Sequence, residues 1–279
     1  MSITADSIFT MPDLPEVGHN DFERAARILR ARTGIVLGGH KRDMAERTLA
    51  MRARRQGLAS VKEYLDHLES DSQSEHWETF INSFTINHTA FFREQHHFPI
   101  LAEFVKTRKK PISVWCCASS TGEEPYSIAI TLREACVSPD SGVSILATDI
   151  DTHAIERARE GVYSMERVKP VPEEHLRKYF QRGAGKRAGM VRVKPELRNM
   201  IEFEVLNLLS PNWPPSQSFD AIFCRNTMIY FDKATQTRIL ERFAVTLKPG
   251  GLLFAGHSEN FTYLTKAFRL LGQTVYVAT

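Results

Sequence analysis

The chain has 279 residues, 42% hydrophobic and 25% charged, the balance of a soluble globular protein with apolar material for a sizeable core. No apolar stretch approaches the roughly 18 residues needed to cross a bilayer, and a net charge of +3 is too small to signal nucleic acid by itself. The four cysteines (Cys116, Cys117, Cys136, Cys224) form no CxxC pair and none of the ten histidines sits in HExxH, so no metal site is expected and a reducing cytoplasm is the natural compartment.

Residues 1–20 lack the basic start and apolar core of a signal peptide and read as a flexible tail. Residues 21–86 read as a small helical domain. Phe22, Ala25, Ala26 and Leu29 recur at helical spacing, and Thr33–Gly34 stops that helix. A second helix is predicted from about Lys41 to Arg55, with Ala45, Leu49 and Ala53 as its apolar line and Lys41, Arg52 and Arg55 roughly opposite. "SVKE" at 60–63 is a capping box that opens a third helix, and "SQSE" at 72–75 opens a fourth carrying Trp77, Phe80, Ile81 and Phe84. Between Asp21 and Lys62 stand eleven Lys/Arg against four Asp/Glu, a local excess of +7. Such an end looks for a negative partner.

Residues 87–110 read as a linker and connecting helix, and from Pro111 strands alternate with helices. Strands are predicted at 112–118, 143–150, 201–207, 219–226 and 251–258, with helices at 124–135, 152–160 and 233–247 and an antiparallel pair at the C-terminal end. This alternation argues for an α/β fold over 111–279, a mostly parallel doubly wound sheet with helices on both faces. The segment of about 165–203 breaks the rhythm. Its short runs around Gly183, Gly185 and Gly189, together with Ile201–Val205, suggest a small inserted antiparallel β lobe.

Ligands of open α/β sheets bind beyond the carboxyl ends of the strands. After the first strand come Ser119, Ser120, Thr121, Gly122, Glu123 and Glu124; after the second, Asp149 and Asp151; after the third, Asn207 and Leu208; after the fourth, Arg225 and Asn226. This is no phosphate cradle, because a pyrophosphate needs several glycines and an uncancelled helix N-terminus. A ligand with a ribose, an adenine and a positive charge suits it better. Asp149 can accept both ribose hydroxyls, Asn207 can pair with an adenine edge, and Glu123 or Glu124 can face an ammonium or sulfonium. That describes S-adenosylmethionine (SAM). A first-turn glutamate is also favourable through the helix dipole alone, so which of the two faces the ligand stays open. "NHTAFFRE" (87–94) reads either as a domain linker anchored by Phe91 and Phe92 or as a flap that presents Arg93 to a carboxylate.

"NHTAFFRE", "STGEEPYS", "ATDID", "NLL", "CRNTMIYF" and "GHSENF" occur in the order and spacing of the chemotaxis receptor methyltransferases, and the chain resembles that family, the CheR family, from about residue 20 to its end. The resemblance implies an all-α N-terminal domain and a class I SAM-methyltransferase sheet. It implies methyl transfer from SAM to glutamate side chains of chemoreceptors, leaving S-adenosylhomocysteine and glutamyl methyl esters. Carried over by motif, it makes Asn87, Thr89, Arg93, Glu124, Asp149, Asn207, Leu208, Asn226 and Thr227 the cofactor shell, with Glu123 adjacent. Arg93 and Tyr230 match positions close to the transferred methyl. His88 stands where the family often has glutamate, and Thr227, expected to contact through its backbone, where it often has valine.

The resemblance also implies that the basic helix around Arg52, Arg54 and Arg55 docks acidic receptor methylation helices. The β lobe resembles the part of the family that captures a receptor C-terminal peptide as an added strand, to which Lys186, Arg187 and Arg192 are suited. A monomer without membrane insertion or nucleic acid is the default. The alternatives are a SAM-dependent methyltransferase of nucleic acid or a small metabolite, and a non-catalytic receptor-binding adaptor. An NPPY-like motif is absent from the sequence, which weighs against the first, and Arg93, Asp149 and Tyr230 together weigh against the second.

Overall fold

Four amphipathic helices open the chain: α1 (Asp21–Thr33), α2 (Arg42–Arg55), α3 (Val61–Ser70) and α4 (His76–Asn82). They come from a computed structural model that describes residues 14–135, 142–216 and 218–279. Gly34 ends α1 in the left-handed region (φ 78°), where glycine carries no Cβ penalty. Ser60 caps α3 by accepting the Glu63 N–H at 3.2 Å, while Glu63 reaches back to the N–H of Ala59 at 3.0 Å. Leu29, Leu49, Leu65 and Phe80 are fully buried between these helices, each contributing roughly 1.5–3 kcal/mol. Most of the expected tail, residues 1–13, lies outside the described residues, as does Cys136. Its last part is not free, since the Glu16 carbonyl accepts the Val61 N–H at 2.9 Å.

One prediction about α2 fails. Arg52 does not lie opposite the buried line. At seven residues from Ala45 it returns to nearly the same face, is half-buried and donates from Nε to Ser83 Oγ at 2.7 Å.

Beyond α5 (His97–Lys106), the strands β1 (Ile112–Cys116) and β2 (Val143–Asp149) flank α6 (Glu123–Ala135), and α7 (Thr152–Glu160) follows. Next come β3 (Val162–Ser164), α8 (Glu173–Tyr179), β4 (Phe180–Arg182), β5 (Met190–Val193) and α9 (Pro195–Arg198). The chain closes with β6 (Ile201–Val205), β7 (Phe219–Cys224), α10 (Lys233–Thr246), β8 (Leu247–Ala255), β9 (Phe268–Gly272) and β10 (Val275–Ala278). The main sheet runs β6-β2-β1-β7-β8-β10-β9, parallel from β6 to β8 and antiparallel beyond. Along β1 the residues alternate between two cores. Ile112, Val114 and Cys116 face α5 and α6, whereas Trp115 and Cys117 face Phe243 of α10 and the Trp213 loop.

The small lobe is a separate antiparallel sheet of order β3-β5-β4. It takes its first strand from Val162–Ser164, upstream of the expected start, and Ile201–Val205 is instead the parallel edge of the main sheet beside β2. Alternating burial of Ile201 and Phe203 fits either sheet, so the pattern alone does not choose a partner. Tyr163 fastens the lobe to the main domain by donating its hydroxyl to the Thr121 carbonyl at 2.7 Å.

Candidate active site

The strand order reverses beside β1, and a well-enclosed cavity of about 260 Å³ opens beyond the carboxyl ends of β1, β2 and β7. Thr33 at the end of α1, Ile35 just beyond it, and Phe84 to Thr89 after α4 line it from the helical side. The loops around it bend sharply: Ser120 (φ 47°), Asn226 (φ 57°), Phe92 (φ 54°) and Glu94 (φ 53°) all occupy the left-handed region that non-glycine residues seldom adopt.

The acidic residues divide into two roles. Asp151 caps α7, accepting the Ala154 N–H at 3.0 Å, and is buried. That leaves Asp149 to line the cavity, its carboxylate held by the N–H groups of Ser120 at 2.8 Å and Asp151 at 2.9 Å. Burial pushes its pKa up to about 6 against the pull of those donors. Glu124 also lines the cavity and pairs with Arg225 at 2.5 Å. Glu123, a predicted candidate, does not line the cavity. Its carboxylate turns to Arg167 of the lobe and to the Thr121 hydroxyl at 2.7 Å. A helix rotates about 100° per residue, so adjacent glutamates in one turn must face different surroundings.

Gly122 (φ 98°) serves the packing of the lobe. A Cβ there would meet Tyr163 Oη at 2.7 Å and Ala158 Cβ at 2.9 Å, so the glycine admits the lobe and α7.

Arg225, missed as a site residue, is buried between Glu124 and Glu94, the latter at 3.2 Å. One guanidinium between two carboxylates leaves an excess of negative charge. Burial alone would raise the pKa of Glu94, but the His257 N–H, Arg225 and Asn226 outweigh it and hold it below the usual value.

The other predicted cofactor residues all line the cavity, several with their polar atoms engaged within the protein. The Asn87 amide spans Asp151 (2.7 Å) and the Ser120 hydroxyl (2.8 Å). That of Asn207 donates to the Arg32 carbonyl at 2.8 Å and accepts the Leu209 N–H at 2.9 Å. The Thr227 N–H, the expected backbone contact, is taken by Glu259 at 2.9 Å. Thr89 and the side chain of Leu208 complete the wall, Leu208 buried.

Arg93 and Tyr230 both line the cavity, near exposed Ile86 and Ile229. Arg93 donates to the His88 carbonyl at 2.8 Å, so His88 meets it through backbone. Burial raises the Tyr230 phenol above its ordinary value although Arg93 pulls the other way, so the hydroxyl stays protonated near neutrality. The Tyr230 carbonyl accepts the Val36 N–H at 2.9 Å, joining the two domains. Cys117 lines the wall beside Cys224. Burial raises both thiols, and with Cys116 they are free and unreactive.

Residues 87–277 match the family described as CheR methyltransferase, SAM binding domain, and residues 20–85 match its all-alpha domain. The chain belongs to the CheR methyltransferase family. A chemotaxis protein methyltransferase of Escherichia coli (strain K12) is 51% identical over 255 residues, covering 91% of this chain and 89% of that protein. Chemotaxis protein methyltransferase 2 of Pseudomonas aeruginosa is 48% identical, covering 92% of each. This CheR-family chain is thus a SAM-dependent methyltransferase of chemotaxis, and the nucleic-acid, metabolite and adaptor alternatives are not favoured. The residue types on the cavity wall are compatible with SAM: the Asp149 carboxylate at the end of β2, and the Glu124 carboxylate beside Arg225. Among the described residues no helix is long and apolar enough to cross a membrane, and no group of His, Cys, Asp and Glu has the makings of a metal site.

Proposed function

We propose that the chain methylates side-chain carboxylates of glutamates on chemoreceptors, and that Arg93 and Tyr230 orient the incoming carboxylate. The observation that carries this reading is their meeting at one cavity with Asp149 and Glu124. Bound SAM supplies an electrophilic methyl. Asp149 holds its ribose, Glu124 with Arg225 faces its amino-acid moiety, and Leu208, Asn207, Thr89 and Asn226 enclose it. A glutamate, with a pKa of about 4.3, is already ionised near neutrality and needs no base. Catalysis is therefore mainly orientation. The Tyr230 hydroxyl donates one hydrogen bond to the nucleophile's spectator oxygen, and Arg93 steers the charge without a full ion pair that would quench it.

The receptor docks on the exposed face of α2. Met44, Arg47, Met51, Arg54 and Arg55 are exposed and fall within one arc of that helix, joining apolar and basic contacts suited to an acidic amphipathic helix. Arg52, engaged with Ser83, is dropped from that surface. The lobe takes a receptor C-terminal peptide along one of its outer strands, with Lys186 and Arg187 between β4 and β5 nearby, whereas Arg192 stands on the central strand β5, paired on both sides. The protein works as a cytoplasmic monomer.

Incubation with methyl-labelled SAM and receptor-bearing membranes tests the reading. Base-labile label on the receptor is expected from a glutamyl ester. Base-stable label, or none, would overturn it.

A further inference from the structure

The motif "GHSENF" is left over once the cofactor and substrate residues are assigned, yet it holds a buried carboxylate with no cation beside it among the described residues. Glu259 is 4% exposed. Its Oε1 accepts the N–H groups of Thr227 at 2.9 Å and Met228 at 2.8 Å, and its Oε2 those of Asn226 at 2.9 Å and Gly256 at 2.6 Å. Three of these four donors are consecutive residues of the loop that follows β7 and ends in Tyr230.

Four backbone donors on one carboxylate form an anion nest turned inward, with a side chain of the same protein as the anion. Asn226 needs such support, because it stands at φ 57° without being glycine. Gly256 lets the two segments meet: a Cβ there would come within 2.6 Å of the Asn226 backbone nitrogen and closer still to its side-chain amide. The same corner is braced from the other side by Glu94, whose Oε1 accepts the His257 N–H at 3.1 Å and the Asn226 amide at 3.3 Å. The loop is thus fixed by hydrogen bonds to two acids from different segments, which leaves its outward side chains for the cavity.

We infer that Glu259 is a positioning residue for methyl transfer: its carboxylate, with Gly256, sets the path of Asn226–Met228 and thereby the placement of Asn226 and Tyr230 in the cavity. The inference rests on the reading that these two residues serve cofactor and substrate. In Glu259→Gln the amide nitrogen must oppose at least one of the four N–H groups, so the loop loses its path while the residue keeps its size. Gly256→Ala displaces the same loop sterically and leaves the carboxylate intact.

The test combines three measurements on the full chain. For both variants, receptor methylation per folded molecule, with the folded fraction taken from circular dichroism at the assay temperature, is expected to fall by about 100-fold. Affinity for S-adenosylhomocysteine, measured by calorimetry, is expected to fall by about tenfold, giving a larger loss in kcat than in binding. In the unmodified protein the amides of Asn226, Thr227 and Met228 are expected to be strongly protected from hydrogen exchange. A merely structural role predicts that lost activity tracks the unfolded fraction, and this outcome, or turnover within about threefold of the parent, overturns the inference. If neither variant folds, the exchange measurement decides, and rapid exchange at the three amides overturns it. A Tyr230→Phe control separates the two readings: normal turnover there refutes the role of Tyr230, whereas impaired turnover there with normal Glu259→Gln refutes the positioning role.

Discussion

The end of β2 and the loop after β8 present two carboxylates with opposite uses. Asp149 and Glu259 are both raised in pKa by burial, and both are held by backbone N–H groups. Asp149 stays half-buried against the cavity, with acceptor capacity left on its oxygens for the ribose proposed above. Glu259 is closed off, each oxygen accepting two N–H groups, and so it shapes the chain rather than binding anything. The lesson is that a buried acid is not a site until its acceptor capacity has been counted.

Substitutions sharpen that contrast. Asp149→Ala should have the largest effect, weakening S-adenosylhomocysteine by about 100-fold or more in calorimetry, since two ribose hydroxyls lose a charged acceptor. Unchanged affinity would remove Asp149 from the cofactor site. Arg93→Ala is expected to reduce receptor methylation by about 100-fold with near-normal S-adenosylhomocysteine binding. Near-normal turnover would dismiss Arg93 from the mechanism.

Titration gives a gentler break between the two acids. Ribose hydroxyls bind the ionised form of Asp149, so binding draws its proton off. Affinity should be full above about pH 6 and fall up to about tenfold per unit below it. A flat calorimetric profile across that range would contradict the assignment. Smallest of all, neutralising Arg54 and Arg55 with glutamine should weaken receptor binding about threefold to tenfold at low salt, and the difference should shrink as salt rises. Equal affinity and equal salt dependence in the double variant would clear α2 of docking.

Much of this fold was legible because its signals are local. The capping serine at 60 and the stop at Gly34 reappear in the observed elements, as do most of the strands and helices expected from Pro111 onward within a residue or two, although the strand expected at 251–258 runs from Leu247 to Ala255. Pairing was less legible. Ile201–Val205 has the same half-buried alternation whichever sheet it joins, and only the tertiary fold selects β2. Within the site, residue types at strand ends located the cavity but not the destination of each polar atom. Asn87 and Asn207 sit where expected, yet their amides knit loops together. Glu259 carried no signal apart from its place in a quoted motif, since an acid in a polar loop usually faces water.

The Glu259 grip falls on main-chain N–H groups, which every residue except proline possesses. Apart from Asn226, whose amide also bonds Glu94, the loop's shape therefore depends little on the identity of its own side chains. Sequence drift at these positions can retune the cavity wall one side chain at a time, while the scaffold beneath is inherited unchanged.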